Sequence, residues 1–496
     1  MTIKSWLSSQ GHHPGPTSQS SSKKSLGITS AEDWIGPSDP EDPHNWSSGK
    51  KLFQAAAVSG IALVTTLNIS VFSPSISLVQ EDFSVDVEAV RAAYVMYIFG
   101  LALSSPFVSP LSETYGRRIV YVVCMPLFAC FVLGAGFVQN IVGLIFLRLL
   151  AGLCAGPGLS LGSASIADML TPEQRSTPMS IYVAMVFLGP SLGPVLGSFA
   201  AYEMGWQWSS WIILFVCAAI FPSFFFFEET YKRTILERRA KRLDIPGPAK
   251  PARQSTFAFL RTALVRPLHM LVTEPIVAVW CLYVGFNFAL QYAFFSSFGW
   301  VYSTYYGFTE TQTSLTFLAF VVGFASSLGL TTLFNRAYYL PLAHRTKKNG
   351  EIAAGATSKL APEQRLPLAL IGAPMITFSL IFFAWTASFQ VHWIAPVIAG
   401  AGFAAGNMLT FMACSLYLFD SYGPLYGASA MAANATMRFL GGTIFPLFTT
   451  QFFAALGVGW AATTFGLLSL VGLVLALTLW FRGPQIRAKS TYSRGD

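Results

Sequence analysis

The amino-acid sequence predicts an all-α membrane protein in which twelve transmembrane helices form two six-helix bundles. Composition is the first indication, because 53% of the 496 residues are hydrophobic, 43 are phenylalanine and only 11% are charged. A soluble domain does not carry so apolar a composition in water. The length of the apolar segments and the one-sided distribution of the basic residues are the other two indications.

Twelve apolar segments, numbered here as spans 1 to 12, are each long enough to cross a membrane. About 20 helical residues cover the ~30 Å hydrocarbon core. A transmembrane β-barrel is excluded, because its strands alternate in polarity over about ten residues, whereas these segments stay apolar for about twice that length. The short polar run 110–118 joins spans 2 and 3 as a hairpin and places Arg117 and Arg118 at a membrane surface. The segments are centred near residues 62, 98, 129, 151, 190, 217, 286, 323, 377, 403, 437 and 470.

Basic residues lie almost entirely on one side of these spans. Of the 31 lysines and arginines, 28 fall before span 1, in alternate loops or after span 12, and only Arg91 falls in a loop on the opposite side. Positively charged loops remain in the cytoplasm, so we expect both termini and the central loop to be cytoplasmic. The net charge of +8 then reflects orientation in the membrane, and we expect no nucleic-acid partner.

The order of apolar and polar segments divides the chain into five parts. Residues 229–273 are basic, and the spacing of the apolar residues at 235, 236, 240 and 243 predicts an amphipathic helix on the membrane surface. The parts are a disordered cytoplasmic arm over 1–48, an N-terminal bundle over 49–228, the basic cytoplasmic linker over 229–273, a C-terminal bundle over 274–482 and a cytoplasmic tail over 483–496.

Span 5 carries a repeated glycine-proline pattern. Gly189, Gly193 and Gly197 recur every four residues, so they share a helix face on which a neighbouring helix can approach closely. Pro190 and Pro194 remove backbone hydrogen bonds and predict a kink. Close packing alone would explain one such unit, and the doubled unit favours a functional bend.

Two arginines fall deep within spans. Arg148 of span 4 and Arg438 of span 11 would each cost at least ~2.5 kcal/mol in lipid, so both are expected to face the protein interior. Arg148 could instead extend its charge to the membrane surface or bind a backbone carbonyl. Arg438, one turn after Asn434, could instead form hydrogen bonds between packed helices. No Asp or Glu lies in the middle of a span, which favours neutral or anionic organic substrates over polyamines.

Several uncharged polar side chains are candidates for a substrate cavity. Asn287 and Gln291 share a face of span 7 beside Tyr292, and such groups can place hydrogen-bonding atoms in an otherwise apolar cavity. Lipid contact or packing is the alternative for the aromatic stripe of span 7. The remaining candidates are Asn68 of span 1, Asn407 of span 10, and Asn434 and Arg438 of span 11.

The hairpin between spans 2 and 3 resembles the signature loop of the major facilitator superfamily, and span 5 resembles the antiporter motif of its twelve-span drug:proton branch. Residues 144–152, 229–231 and 266–268 are similar to stretches of the fungal members, and the resemblance covers about residues 40 to 482. The chain departs from the usual motifs at Ser109 and Ser198, where glycine is usual, and at Glu228, where proline is usual.

The resemblance implies a major facilitator fold whose halves rock around a central cavity. It also implies that Arg117 and Arg118 form a charge cluster with Glu113 and Asp168 that holds the outward-open state, although the arginines could simply anchor to lipid phosphate. Arg148 would contribute to proton coupling or substrate contact. Because no carboxylate lies in the middle of a span, we expect the proton to be carried by Asp168 or Glu113 at the cytoplasmic mouth, or to move with the substrate.

We therefore predict a proton-coupled exporter of drugs, secondary metabolites or organic acids. A passive facilitator or a proton symporter is the alternative, and a membrane enzyme or receptor is the rival class. The histidines lack metal-ligand spacing and no phosphate-binding loop is present, so we expect no enzyme activity, metal or cofactor. The expected partners are the substrate, protons and the lipid bilayer. A monomer in the plasma membrane is expected, with the vacuolar membrane as the alternative.

Overall fold

The structure is a computed structural model that describes residues 32–171, 174, 176–247, 256–342, 345, 361–490 and 492. Within these residues all regular secondary structure is helical. The first 31 residues of the expected arm and parts of the linker and tail lie outside the described residues.

Eleven helical segments of the described chain are long and apolar enough to cross a membrane. The last has 59 residues, which at 1.5 Å per residue is about 88 Å and allows two crossings. Gly457 interrupts it with φ +73°, a left-handed conformation that suits glycine, so it comprises spans 11 and 12. The predicted all-helical membrane architecture is confirmed. The segments are Ser48–Phe83, Val87–Tyr115, Arg117–Phe137, Ile141–Met169, Pro178–Met204, Trp208–Phe225, Pro275–Phe295, Glu310–Leu342, Pro367–Ser388, Ile394–Tyr422 and Ser429–Arg487.

The spans pack in two halves that contact each other through several helices. In the N-terminal half span 1 packs on span 5, and span 2 on span 4, where a Cβ on Gly152 would collide with the carbonyl of Tyr97. In the C-terminal half span 7 packs on span 11 and span 9 on span 10. Between the halves span 5 contacts span 8, and span 2 contacts span 11, where Ile98 approaches Gly442.

The segment before span 1 is held against a helix of the central linker. This linker helix, Lys232–Leu243, buries the side chain of Arg239, which is 3% exposed. Arg239 donates two hydrogen bonds of 2.7 Å to Asp39 and one of 2.6 Å to Glu41. Lys232 donates to Asp33 over 2.6 Å. We call this assembly of residues 32–47 with the linker helix the clasp.

The clasp differs from the disordered arm expected over residues 1–48. Burial alone would raise the pKa of Asp39, but hydrogen bonds from Arg239 and from the amides of Ile35 and Glu41 outweigh it and lower the pKa to about 2. Asn45 adds hydrogen bonds to the carbonyls of Pro37 and Asp39. The acidic residues before span 1 are therefore ordered by a basic helix some 200 residues later.

The buried face of the linker helix includes only part of the face that its apolar spacing predicts. Thr234, Leu236 and Ala240 are buried, whereas Leu243 is exposed. Thr234 lies beside Gly116, at the turn between spans 2 and 3. The linker is thereby held next to the charged hairpin.

Candidate functional site

The turn between spans 2 and 3 is closed by a glutamate at the start of the linker. Gly116 adopts φ +97°, and span 3 begins at Arg117 with amides that have no partner within the helix. Glu229 accepts hydrogen bonds from the amides of Arg117 at 2.8 Å and Arg118 at 3.3 Å. Its negative charge also complements the positive end of the helix dipole. Glu229 therefore caps span 3.

The side chain of Arg117 connects this cap to span 4. Its Nε donates to Asp168 over 3.3 Å, and its terminal nitrogen donates to the hydroxyl of Ser112 over 2.5 Å. Thr230 donates to the same Asp168 oxygen over 3.5 Å, and the Arg117 guanidinium lies 5.1 Å from the Tyr231 ring. The ends of spans 2, 3 and 4 and the start of the linker thus form one buried polar assembly.

We call Glu113, Arg117, Arg118, Asp168 and Glu229 the hinge cluster. Glu113 is half-buried and interacts electrostatically with Arg117 and with Arg266, which belongs to the helix Thr256–Thr273 that leads into span 7. The structure therefore brings the four residues expected from the sequence into one region. The structure adds Glu229, which binds the backbone amides at the start of span 3. The sequence feature that points to Glu229 is the Glu-Thr-Tyr run directly after span 6.

The three glycines of span 5 all face span 1. A Cβ on Gly189 would collide with Thr66, one on Gly193 with Ser70, and one on Gly197 with the carbonyl of Val71. The helix Ser176–Met204 continues through Pro190 and Pro194. In the structure this motif therefore forms a close contact between spans 5 and 1.

Arg148 is buried at 5% exposure and is held by backbone carbonyls. Its Nε donates to Ala93 over 2.9 Å, and a terminal nitrogen donates to the carbonyl of Asn68 over 3.4 Å. The guanidinium lies 4.2 Å from the centroid of the Phe72 ring. Arg148 therefore joins span 4 to spans 1 and 2, and Asn68 belongs to this contact.

A second group of polar side chains lies in the C-terminal half. Asn407 donates to Gln291 over 2.8 Å, and Asn434 lies 3.7 Å from the sulfur of Cys414. These atoms are buried, and an unmet hydrogen bond in such a place costs about 1–3 kcal/mol. Among the described residues no hydrogen-bond partner reaches either amide atom of Asn287, Nε2 of Gln291, Oδ1 of Asn434 or Nε of Arg438.

Arg438 lies against a set of aromatic rings that bridges the two halves. Its guanidinium is 4.7 Å from the ring centroids of both Phe288 and Phe411. Phe187 of span 5 packs on these two rings at 5.5 and 5.3 Å and on Phe324 of span 8 at 4.9 Å. We call Phe187, Phe288, Phe324 and Phe411 the aromatic cluster. Sequence analysis missed Phe187, because no local pattern marks a ring that reaches across to the other half.

Tyr292 extends this set of rings towards the opposite end of span 7 from the linker. Its ring lies 6.4 Å from that of Phe288 and 5.9 Å from that of Phe295, and it packs beside Gly442. Beyond Phe295 lies a cavity of about 150 Å³. The cavity lies at the end of the bundles opposite the hinge cluster and is lined from both halves, by residues that include Arg91, Pro194, Trp300 and Glu310.

The sequence model of the major facilitator superfamily matches residues 58–446. The chain belongs to the major facilitator superfamily. Major facilitators are membrane transporters of small molecules and not enzymes, so this chain is a transporter.

Fungal transporters are the relatives of this major facilitator. The chain is 35% identical to "Polyamine transporter 4" of Saccharomyces cerevisiae over 93% of this chain and 73% of that protein. It is 34% identical to "MFS-type transporter penM" of Penicillium rubens over 93% and 90% of the two chains. It is 30% identical to the multidrug transporter FLU1 of Candida albicans over 92% of this chain and 75% of that protein.

The fold of this major facilitator is also that of a solved sugar transporter. The structure superposes on the proton:xylose symporter XylE with a TM-score of 0.63, covering 88% of this chain and 96% of that one. The sequences are 13% identical, so this likeness concerns the fold alone.

Proposed function

We propose that this major facilitator exports organic small molecules in exchange for protons by alternating access. The supporting observation is that the two halves meet beside the hinge cluster at one end, where Glu113 interacts electrostatically with Arg266, while a cavity lined from both halves lies at the other end. Between the two ends lie the aromatic cluster and buried polar atoms that have no partner among the described residues. This arrangement supports alternating access, in which the two halves rock around a central substrate site.

The hinge cluster is the proposed site of proton coupling. Asp168 pairs with Arg117 within the N-terminal half, and Glu113 faces both Arg117 and Arg266. Protonation of either carboxylate removes its attraction for the arginine and weakens the contacts that close this end. Arg148 is already bonded to two carbonyls, so its part in coupling is to hold spans 1, 2 and 4 together.

The proposed orientation is supported by the basic residues of the hinge cluster and linker, because positively charged loops remain in the cytoplasm. This end and both termini are then cytoplasmic. Export across the plasma membrane, or into the vacuole, then moves substrate from the hinge side to the cavity side. The hinge cluster and the cavity lie within one chain, so a monomer suffices for the proposed mechanism.

The test is transport by the purified full chain in proteoliposomes that contain a pH-sensitive dye. A panel of aromatic carboxylates, neutral drugs and a polyamine is supplied with and without a pH gradient. We expect substrate flux in one direction and proton flux in the other. Substrate flux without proton flux indicates a passive facilitator, flux of both in the same direction indicates a symporter, and either result overturns the proposal.

Asp168→Asn separates coupling from substrate binding. Asparagine keeps an oxygen that accepts a hydrogen bond from Arg117 but cannot take up a proton. The variant is expected to lose accumulation driven by the pH gradient and to retain exchange of labelled for unlabelled substrate. Full accumulation by Asp168→Asn and by Glu113→Gln would contradict proton coupling at the hinge cluster.

A further inference from the structure

Arg438 in the C-terminal half is a buried cation, and its surroundings indicate which kind of ligand the central site can bind. The residue is only 7% exposed, and the titratable side chains that interact with it are Tyr182, Tyr292, Cys281 and Cys414. Tyrosine and cysteine are neutral near pH 7, so none of these residues supplies a negative charge. Arg438 forms no ion pair among the described residues, and a buried cation in that situation calls for an anion or an oriented acceptor.

One N–H group of Arg438 is available to bind such an acceptor. The Nε–H of Arg438 has no hydrogen-bond partner among the described residues, although the faces of Phe288 and Phe411 cover the guanidinium at 4.7 Å. Nε2 of Gln291, a second donor, is also free among the described residues. The unused Nε–H belongs to a charged guanidinium, so it favours an acceptor oxygen that carries negative charge.

The aromatic cluster indicates the shape of the rest of the ligand. Phe187 from the N-terminal half packs against Phe288 and Phe411, the two rings that flank Arg438. A contact between rings from opposite halves is separated when the halves move apart. A planar apolar group can then take the place of Phe187 and recover the same ring contacts.

We propose that Arg438 binds the anionic oxygen of a planar organic acid, such as a carboxylate or a phenolate, while the ring system of the acid replaces Phe187 on Phe288 and Phe411. This inference rests on the proposed function, because the acid is the transported substrate. It narrows that function to one substrate class. A polyamine would bring further positive charge to an arginine that has no counter-ion within the described part of the chain. The name "Polyamine transporter 4" describes only the relative that bears it.

The test uses three probes that share one ring system, namely naphthalene-2-carboxylate, naphthalene-2-carboxamide and 2-naphthylmethylamine. Binding to the purified full chain is measured by calorimetry at pH 7.5 without a pH gradient. We expect the carboxylate to bind more tightly than the carboxamide and the amine to bind most weakly. Equal or tighter binding of the amine, or no binding of any probe, overturns the proposal.

Arg438→Gln tests whether this residue carries the preference. A charge-assisted hydrogen bond is lost, so the affinity for the carboxylate should fall about 10- to 100-fold while that for the carboxamide changes much less. Arg438→Lys keeps the charge and should retain part of the preference. Arg482→Gln, at an exposed arginine near the end of span 12, is the matched control and should leave both affinities unchanged.

The ratio of the two affinities is the deciding quantity, because a merely destabilised variant weakens both probes together. An unchanged ratio in Arg438→Gln that still folds, as judged by its thermal unfolding, overturns the proposal. Since binding is measured at equilibrium, failure of proton coupling in the liposome assay would leave this result intact, and the two proposals fail separately.

Discussion

Asp39 and Arg239 lie 200 residues apart in the chain, yet the Asp39 carboxylate accepts a hydrogen bond from each terminal nitrogen of Arg239, both at 2.7 Å. Both side chains are buried. This bidentate pair joins the segment that precedes span 1 to the linker between the two halves. It has the geometry in which arginine binds carboxylates most specifically.

Asp39→Asn should destabilise the protein markedly. Breaking a buried ion pair by removing one partner costs about 3–5 kcal/mol, because Arg239 is left without its main counter-ion. The measurement is thermal unfolding in detergent. Asp33→Asn is the control, since Asp33 is 74% exposed where it pairs with Lys232 and its loss should leave the melting temperature unchanged. Equal shifts in both variants would contradict a special role of the buried pair.

The clasp should also loosen in acid. The pKa of Asp39 is lowered to about 2 in the folded chain from an ordinary value near 3.8. Its contribution to stability is therefore complete above about pH 4 and is lost as the pH falls towards 2. Hydrogen exchange at the amides of Ile35 and Glu41, which donate to Asp39, reports this change. Protection that is insensitive to pH across this range would be the contrary result.

Two adjacent glutamates offer a matched pair of substitutions at the start of the linker. Glu229→Gln removes the charge that caps span 3 at the amides of Arg117 and Arg118, and should cost about 1–2 kcal/mol in the free energy of unfolding. Glu228 is 53% exposed and, among the described residues, forms its ion pair with Lys50 alone, so Glu228→Gln should have little effect. Thermal unfolding and transport rate are measured for both. A larger effect at Glu228 would refute the capping role.

Gly193→Ala should disrupt the contact between spans 5 and 1. The added methyl group collides with Ser70 and with the backbone of Val71, and overpacking of this kind costs about 1–3 kcal/mol. Gly329→Ala in span 8 is the control, because a methyl group there meets no atom within 4 Å. Folded yield and thermal unfolding after purification should fall only in Gly193→Ala. A normal melting temperature for that variant would show that the spans can separate without cost.

Replacement of Arg148 by glutamine should reduce transport without preventing insertion. The two carbonyls that Arg148 binds, on Asn68 and Ala93, belong to different spans, and glutamine cannot reach both. Loss of these charge-assisted bonds is expected to lower the transport rate about tenfold or more. The amount of protein in the membrane is measured in parallel. Undiminished efflux by correctly inserted Arg148→Gln would contradict this role.

Local sequence features predicted the helices and several of their faces, because the length of an apolar segment and the spacing of glycines are set within single helices. The same information placed Arg117 and Asp168 close enough to pair, since short connections fix which ends of spans 2, 3 and 4 lie together. The glycine face of span 5 was predictable in the same way, although its partner, span 1, was not.

Features that depend on distant segments were not predictable from one sequence. Nothing near Asp39 indicates that Arg239 will neutralise it, so the acidic segment was expected to be disordered. Phe187 resembles the other phenylalanines of the spans until the halves are packed together. Glu229 stood in a recognisable motif, but its bond to the start of span 3 follows from the path of the chain after span 6.

After span 6 the chain is bound to the rest of the protein at two nearby points. Glu229 binds the start of span 3, and Arg239 binds the residues before span 1. For protein engineering, 229–243 is therefore a poor place to insert a fluorescent reporter or a protease site, because an insertion there separates these two contacts. An insertion directly after Gly247 leaves both in place. That position is the better choice for a sensor of the relative movement of the halves.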